Sequence, residues 1–280
     1  MKLRTFMKDR LVDADTNALL DAMPVQLGSR GFDPWGLNLD NTKIALSFVK
    51  WLYQKYFRVE AHGLENIPKE GRVLIIPNHS GQLPMDGLMT AYAVATNPHG
   101  PRMPRAMIER FFPTVPWIGN LLNSWGAVIG DPLNCVKMLK RDEAIIVFPE
   151  GVRGSGKPYK LRYQLQRFGN GFLHLAMESG APIIPVGIVG CEETMPSLGS
   201  IKPLARLLRI PYVPIAPLVP LPAKVIINFG QPMRFDNKAT NEQEVTERTR
   251  EVKAEIRKLI EKGQSERKSV FDGLTPARSG

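Results

Sequence analysis

Short apolar runs alternate with segments of helical spacing through the middle of the chain. Runs in which nearly every position is apolar are typical of strands buried on both faces, and they lie at 72–76, 103–108, 126–130, 145–148, 181–188 and 224–229. Positions 57–61 alternate between apolar and polar, as a half-exposed strand does. Helical spacing occupies 87–95, 132–141 and 170–179. This order predicts an α/β fold, with a single mixed, largely parallel sheet and helices on both faces.

The two ends of the chain predict helices outside this α/β core. Positions 41–56 place Phe48, Trp51 and Tyr56 mostly on one apolar stripe, which suits either packing on the core or lying at a membrane interface. Positions 240–262 predict a long charged helix with an apolar inner side. We divide the chain into an N-terminal helical, membrane-associating segment (1–56), the α/β domain (57–239), a C-terminal helix packed on it (240–263) and a polar tail expected to be disordered (264–280).

The charge and composition of the chain indicate which classes of molecule it can bind. The 37 basic and 27 acidic residues give 37 − 27 = +10, which favours anionic lipid surfaces, nucleic acid or phosphorylated substrates. Cys135 and Cys191 form no ligand pattern, so we expect reduced thiols, a cytoplasmic protein and no metal site. No stretch reaches the roughly 18 consecutive apolar residues of a membrane-spanning helix. If the protein acts on lipids, we expect it to lie peripherally on the cytoplasmic face of the membrane.

A histidine lies on the turn between a predicted strand and a predicted helix. Asn78 and His79 follow the strand at 72–76, and Asp86 precedes the helix at 87–95. Ligands of open α/β sheets bind beyond the carboxyl ends of the strands. A neutral imidazole takes a proton from a hydroxyl near pH 7, and a carboxylate on its other nitrogen stabilises the imidazolium. His79 and Asp86 are therefore a candidate catalytic pair, with a loop histidine and a helix N-cap as the alternative interpretation.

A second turn of the same kind follows the strand at 145–148. It carries Glu150, Gly151 and Arg153, and Lys157 begins a basic group after it. That group is either a solvated face or a phosphate site for the acceptor or the donor.

The three apolar strands and their turns together resemble a known superfamily. Three blocks look like motifs of the glycerolipid acyltransferases. The first motif is matched by Asn78-His79 with a downstream Asp86. The third is matched by Phe148-Pro149-Glu150-Gly151-Val152-Arg153, and the fourth by the run 182–187. The resemblance covers about 57 to 235 and is closest in type to the 1-acylglycerol-3-phosphate (lysophospholipid) acyltransferases.

The resemblance implies a function and a set of site residues. It implies acyl transfer from an acyl thioester, either acyl-CoA or acyl carrier protein, to a hydroxyl of a lysophospholipid or glycerolipid acceptor. It implies an anionic membrane surface as partner, no nucleic acid and no cofactor beyond the thioester co-substrate. His79 would be the general base, oriented by Asp86. The implied substrate-binding residues are Asn78, Glu150, Gly151, Arg153 and Lys157.

Two features depart from the family pattern. Six residues, 80–85, separate His79 from Asp86, where the family usually has four. Asp86 therefore serves only if the longer loop folds back. The strand at 126–130 lacks the arginine that usually ends the second motif and helps to hold the acceptor's phosphate.

Three other functions remain as alternatives. Positions 151–157 fit Gly-x4-Gly-Lys, most of the P-loop of a phosphate-binding NTPase, but Pro158 stands where that motif needs Ser or Thr. A serine hydrolase would need a Gly-x-Ser-x-Gly elbow, which the sequence lacks. A non-catalytic basic lipid-binding protein would not need both polar turns.

Overall fold

The strands form one sheet, as predicted. The structure is a computed structural model that describes residues 10–112, 117–208, 211–236 and 241–274. Within these residues a seven-stranded sheet has the order β1-β7-β6-β2-β5-β3-β4. Only β6 and β7 pair antiparallel. The strands are β1 (Glu60–His62), β2 (Val73–Pro77), β3 (Pro104–Ile108), β4 (Val128–Ile129), β5 (Ala144–Ile146), β6 (Ile183–Val189) and β7 (Ile226–Phe229).

The five predicted helical segments all form helices, with local signals at several ends, and the structure adds further short helices. Asp131 caps the helix that begins at Pro132. Gly180 ends the helix Gly171–Ser179 in the left-handed conformation that favours glycine. The α-helices are α1 (Ala14–Asp21), α2 (Leu39–Trp51), α3 (Met85–Ala95), α4 (Ile118–Ser124), α5 (Pro132–Leu139), α6 (Val152–Ser155), α7 (Gly171–Ser179), α8 (Cys191–Thr194), α9 (Lys202–Leu208) and α10 (Glu242–Glu266). A π-helical turn, Leu52–Tyr56, extends α2.

The core lies on both faces of the sheet. Alternate residues of β2 point to opposite sides: Leu74 and Ile76 join a cluster with α5, α7 and α10, whereas Val73 and Ile75 join a cluster with α2 and α3. Because β2, β5, β6 and β7 are buried on both sides, their runs are apolar at nearly every position. The predicted layer arrangement is therefore confirmed.

The N-terminal helices are anchored to the α/β domain. Asp33 accepts hydrogen bonds from the Trp35 and Leu37 amides, and Arg105 of β3 pairs with both Asp33 and Glu143. These contacts tie the connector before α2 to the sheet.

The C-terminal region differs from the expected disordered tail. Helix α10 continues to Glu266, and the residues after it bind the domain: Arg267 pairs with Glu193 at 2.8 Å, and the Val270 carbonyl accepts the Lys224 amide. These are polar and main-chain contacts, which leave no apolar pattern in the sequence. Residues 275–280 lie outside the described residues.

The topology brings three turns together. Strand β2 lies between β5 and β6, and β5 lies between β2 and β3. Since β2, β5 and β3 are mutually parallel, the residues after them, His79, Glu150 and Glu109, meet at one edge of the sheet.

Candidate active site

His79 and Asp86 are in contact. Asp86 is fully buried, and its Oδ2 lies 2.5 Å from His79 Nδ1. The same oxygen accepts the Ser80 amide at 2.7 Å, and Oδ1 accepts the Gly87 amide at 2.7 Å. The prediction that the longer loop folds back to bring Asp86 to the histidine is confirmed.

The loop between them turns sharply enough to absorb its two extra residues. Gly81 has φ 84°, and a Cβ there would lie 2.9 Å from the Cys191 carbonyl oxygen. Helix α3 then begins at Met85, so that Asp86 lies in its first turn. A left-handed glycine is one of the few residues that permits this tight return.

The surroundings of His79 favour its protonated form. Burial alone would lower the pKa of His79, but the carboxylate of Asp86, with smaller contributions from Glu150 and Glu109, raises it above the ordinary value for histidine. With Nδ1 facing Asp86, Nε2 is the nitrogen left for a ligand. The pair therefore has the arrangement of a base and its orienting carboxylate.

Glu150 holds the main chain of the site. It is 1% exposed; Oε1 accepts the His79 amide at 2.9 Å, and Oε2 accepts the Gln166 amide at 2.6 Å. Both oxygens are thus occupied by the protein. The sequence predicted that Glu150 binds substrate. In the structure its carboxylate instead holds the main chain at His79.

Asn78 also binds the protein rather than the cavity. Its side-chain amide donates to the Ile188 carbonyl at 3.1 Å, and its side-chain oxygen accepts the Ile188 amide at 2.7 Å. This paired contact extends the junction of β2 and β6 by one residue. Asn78 therefore fixes the point at which the His79 turn leaves the sheet.

Glycines bring the second turn close to the first. Gly151 lines the cavity with φ 55°, and a Cβ at Gly154 would lie 2.6 Å from the Cβ of His79. Arg153 lies between these two glycines in the sequence. Its side chain is exposed and makes no hydrogen bond or ion pair with another residue that the structure describes. It remains accessible to a ligand at the surface.

Lys157 is committed to a buried ion pair. Its amine lies 2.6 Å from Glu192 and 3.3 Å from the Gln164 carbonyl. Burial raises the pKa of Glu192 to about 7, against the lowering effect of Lys157. Lys157 is therefore not placed as a phosphate ligand. A P-loop needs a free lysine as well as the Ser or Thr that Pro158 replaces, so the structure does not support the P-loop interpretation.

A mainly apolar cavity of about 280 Å³ opens beside His79. Phe148 lies against the imidazole, with the ring centres 4.4 Å apart. Trp125 lines the cavity, whereas Trp117 is exposed. Further apolar lining comes from Leu83, Leu88, Met107, Ile108, Phe112 and Leu122.

Several lining residues were not anticipated from the sequence. The Tyr212 hydroxyl donates to the Gln82 carbonyl at 3.2 Å and so joins a distant segment to the His79 loop. No local sequence pattern predicts a contact between segments so far apart in the chain. Glu109 was within reach of prediction, because it follows β3 as His79 follows β2 and Glu150 follows the β5 region.

Comparisons with known proteins bear on the family and the fold. The acyltransferase family model matches residues 58–189. A protein of Mycobacterium tuberculosis without assigned function is 37% identical over 257 residues, covering 87% of this chain and 71% of its own.

The chain belongs to the acyltransferase family.

Two further relatives are similar over most of this acyltransferase. The bovine "DGAT1/2-independent enzyme synthesizing storage lipids" is 30% identical over 210 residues, covering 73% of this chain and 60% of its own. The crystal structure of the 1-acyl-sn-glycerophosphate acyltransferase from Thermotoga maritima superposes with a TM-score of 0.57 at 17% identity, covering 96% of this chain and 89% of the other. The latter likeness concerns the fold.

Among residues 10–112, 117–208, 211–236 and 241–274, no helix is both long and apolar enough to cross a bilayer.

Proposed function

We propose that this acyltransferase moves a fatty acyl group from an acyl thioester to a hydroxyl of a lysophospholipid or other glycerolipid. The donor is acyl-CoA or acyl carrier protein, and no further cofactor takes part. The observation that carries the proposal is the contact between His79 Nδ1 and Asp86 Oδ2, 2.5 Å, at the wall of an apolar cavity. The names of the bovine relative and of a sheep relative, a 1-acyl-sn-glycerol-3-phosphate acyltransferase, support the lipid assignment.

In the proposed reaction His79 is the general base. Nε2 removes the proton of the acceptor hydroxyl, and the oxygen attacks the thioester carbonyl carbon. The C–O bond forms, a tetrahedral intermediate collapses, and the C–S bond breaks. The imidazolium returns the proton to the departing thiolate, which gives an ester and a free thiol. Asp86 stabilises the imidazolium while the charge is present.

The cavity is suited to an acyl chain. Its volume of about 280 Å³ is close to the lower end of the usual range for ligand pockets, roughly 300 Å³. It therefore takes part of a long chain beside Phe148 and Trp125. The reacting carbonyl then lies near His79.

The same proposal includes reversible docking on an anionic membrane, at the cytoplasmic face. Phe48 and Trp51 of α2 are 63% and 52% exposed, and Leu218 is fully exposed. The Tyr56 hydroxyl donates to the Pro220 carbonyl, which brings the turn after α2 beside the proline-rich segment 204–221 that carries Leu218. Arg206 is exposed in the same segment, whereas Arg209 lies outside the described residues.

The alternative to an acyltransferase is a non-catalytic lipid-binding protein, and an activity assay distinguishes the two. A panel of lysophospholipids and mono- and diacylglycerols, each incubated with labelled oleoyl-CoA, tests for transfer. We expect at least one acceptor to gain the mass of one oleoyl group, with release of free coenzyme A. Lipid binding with no esterified product, from either the CoA or the carrier-protein thioester, would contradict the proposal.

A further inference from the structure

One carboxylate at the site makes no hydrogen bond or ion pair with the described residues around it. Glu109 follows β3 and lines the same cavity as His79. A Cβ on Gly151 would lie 3.0 Å from its Oε1, so the absence of a side chain there leaves room for the Glu109 carboxylate. Glu109 is also close enough to His79 to affect its titration. The site therefore has a negative group beside its candidate base.

The buried acids near the site are paired with the protein, whereas the partly buried Glu109 is not. Asp86 binds His79 and two amides, Glu150 binds two amides, and Glu192 pairs with Lys157. No hydrogen bond or ion pair joins the Glu109 carboxylate to any residue of the described ranges. The Glu109 carboxylate is partly buried and lines the cavity, so it can accept hydrogen bonds from a ligand bound there.

Most positive charges near the site are bound by other residues, and Arg153, which has no such partner among the described residues, is exposed and does not line the cavity. Arg105 is bound by Asp33 and Glu143, Lys157 is bound by Glu192, and Arg110 pairs with Asp131 on the exposed side. Neither lysine nor arginine occurs among the described residues that line the cavity. A phosphate on the acceptor would thus meet a carboxylate in surroundings of low polarity, where like charges repel more strongly than in water.

We propose that Glu109 makes the acceptor site selective for an uncharged lipid with a second hydroxyl, of the monoacylglycerol class, against its phosphorylated counterpart. The inference deepens the proposed function and rests on it. The acceptor's reacting hydroxyl faces His79 Nε2, and its second hydroxyl donates a hydrogen bond to Glu109. Glu109 takes no proton in the reaction. It discriminates by attraction to the hydroxyl and by repulsion of a phosphate.

A matched pair of acceptors tests the selectivity. We would measure kcat/KM with oleoyl-CoA for 1-decanoylglycerol and for 1-decanoylglycerol 3-phosphate, which differ only in the phosphate. The wild type should favour the neutral acceptor by at least about tenfold. Glu109→Gln should lower that ratio about tenfold, and Glu109→Lys should lower it further or reverse it. Glu178→Gln, on the exposed side of α7, should leave the ratio unchanged.

The outcomes separate this inference from the proposed function. A wild type that prefers the phosphorylated acceptor, or a ratio that folded Glu109 variants do not change, overturns the inference while leaving acyl transfer in place. If neither compound is acylated, equilibrium binding of the two compounds, measured by calorimetry, decides the inference alone. Tighter binding of the neutral compound by the wild type, lost in Glu109→Lys, would support it. Equal binding of both by all variants would overturn it.

Discussion

The Asp86 carboxylate makes three contacts, of which one is with the imidazole of His79. Oδ2 meets the imidazole and the Ser80 amide, and Oδ1 meets the Gly87 amide. The two amides fix the carboxylate, and the carboxylate fixes the ring. The consequence at the residue scale is a histidine with a defined orientation and a raised pKa.

The raised pKa gives a pH prediction with a definite sign. A general base works only when neutral, so kcat/KM should rise with pH through an inflection above about 6.5, the ordinary histidine value. Asp86→Asn removes the main interaction that raises the pKa, so the inflection should move to lower pH. The plateau should fall about 10²- to 10⁴-fold, because the ring loses its orientation.

A profile of kcat/KM from about pH 5 to pH 9 measures both effects. Asp15→Asn, an exposed substitution in the first turn of α1, is the matched control and should keep the wild-type profile. An inflection that stays in place in Asp86→Asn would show that the observed titration belongs to another group.

Residue identities could be predicted from the sequence more readily than side-chain directions. The turn at His79 and its partner Asp86 follow from strand and helix patterning together with the family resemblance. Asn78 and Glu150 stand in equally polar turns, yet their side chains bind main-chain groups of Ile188, His79 and Gln166. Spacing along the chain does not specify which neighbour a side chain will meet, since those partners come from other strands and loops.

At the element scale, the site depends on how closely α6 approaches the His79 turn. A Cβ at Gly154 would lie 2.6 Å from the Cβ of His79 and 2.7 Å from the Cβ of Glu150. Such contacts are too short to be kept, so one of the two turns must move. The short helix thus sets the position of the candidate base.

Gly154→Ala should therefore impair the reaction through displacement of His79. We expect kcat/KM to fall about 10²-fold, which is the usual effect of a shift of about 1 Å at a catalytic centre. Gly171→Ala is the matched control, because an added Cβ at Gly171 meets nothing within 4 Å. Steady-state kinetics on both variants, with thermal melts to confirm folding, measure the effect. Equal activities would show that the turns tolerate the displacement.

Elements built on apolar periodicity could be predicted, and those built on polar contacts could not. Strand β2 and helix α7 agree with their predicted positions to within one residue. The segment after Gly263 has no apolar pattern, yet Arg267 joins Glu193 and Tyr163 in a partly buried network. Such a network depends on residues far apart in the sequence, and so the expected tail carried no local signal of it.

At the scale of the whole molecule, exposed apolar residues and net positive charge occur together. Trp51 and Leu218 lie on segments joined by the hydrogen bond between Tyr56 and Pro220. The net charge is +10. Basic residues near an anionic surface contribute about 1 kcal/mol each and are screened by salt, whereas inserted apolar side chains are not screened.

The protein should therefore sediment with anionic vesicles, less at high salt but with a salt-resistant remainder, and should sediment with neutral vesicles no more than that remainder. Trp51→Ser with Leu218→Ser should remove most of the salt-resistant part. Leu133→Ser is the control, since Leu133 is exposed on α5 at the opposite face of the sheet. Recovery of the wild type in the supernatant with all vesicles and salts would contradict membrane docking.

The central claim, that His79 is the base of an acyl transfer, is tested most directly by removing its imidazole. Single-turnover transfer from labelled oleoyl-CoA to the best acceptor would be measured for the wild type and for His79→Ala, with thermal melts to confirm that both are folded. The account predicts a loss of about 10²- to 10⁴-fold in the transfer rate, with acceptor binding retained. Transfer at the wild-type rate by folded His79→Ala would contradict it.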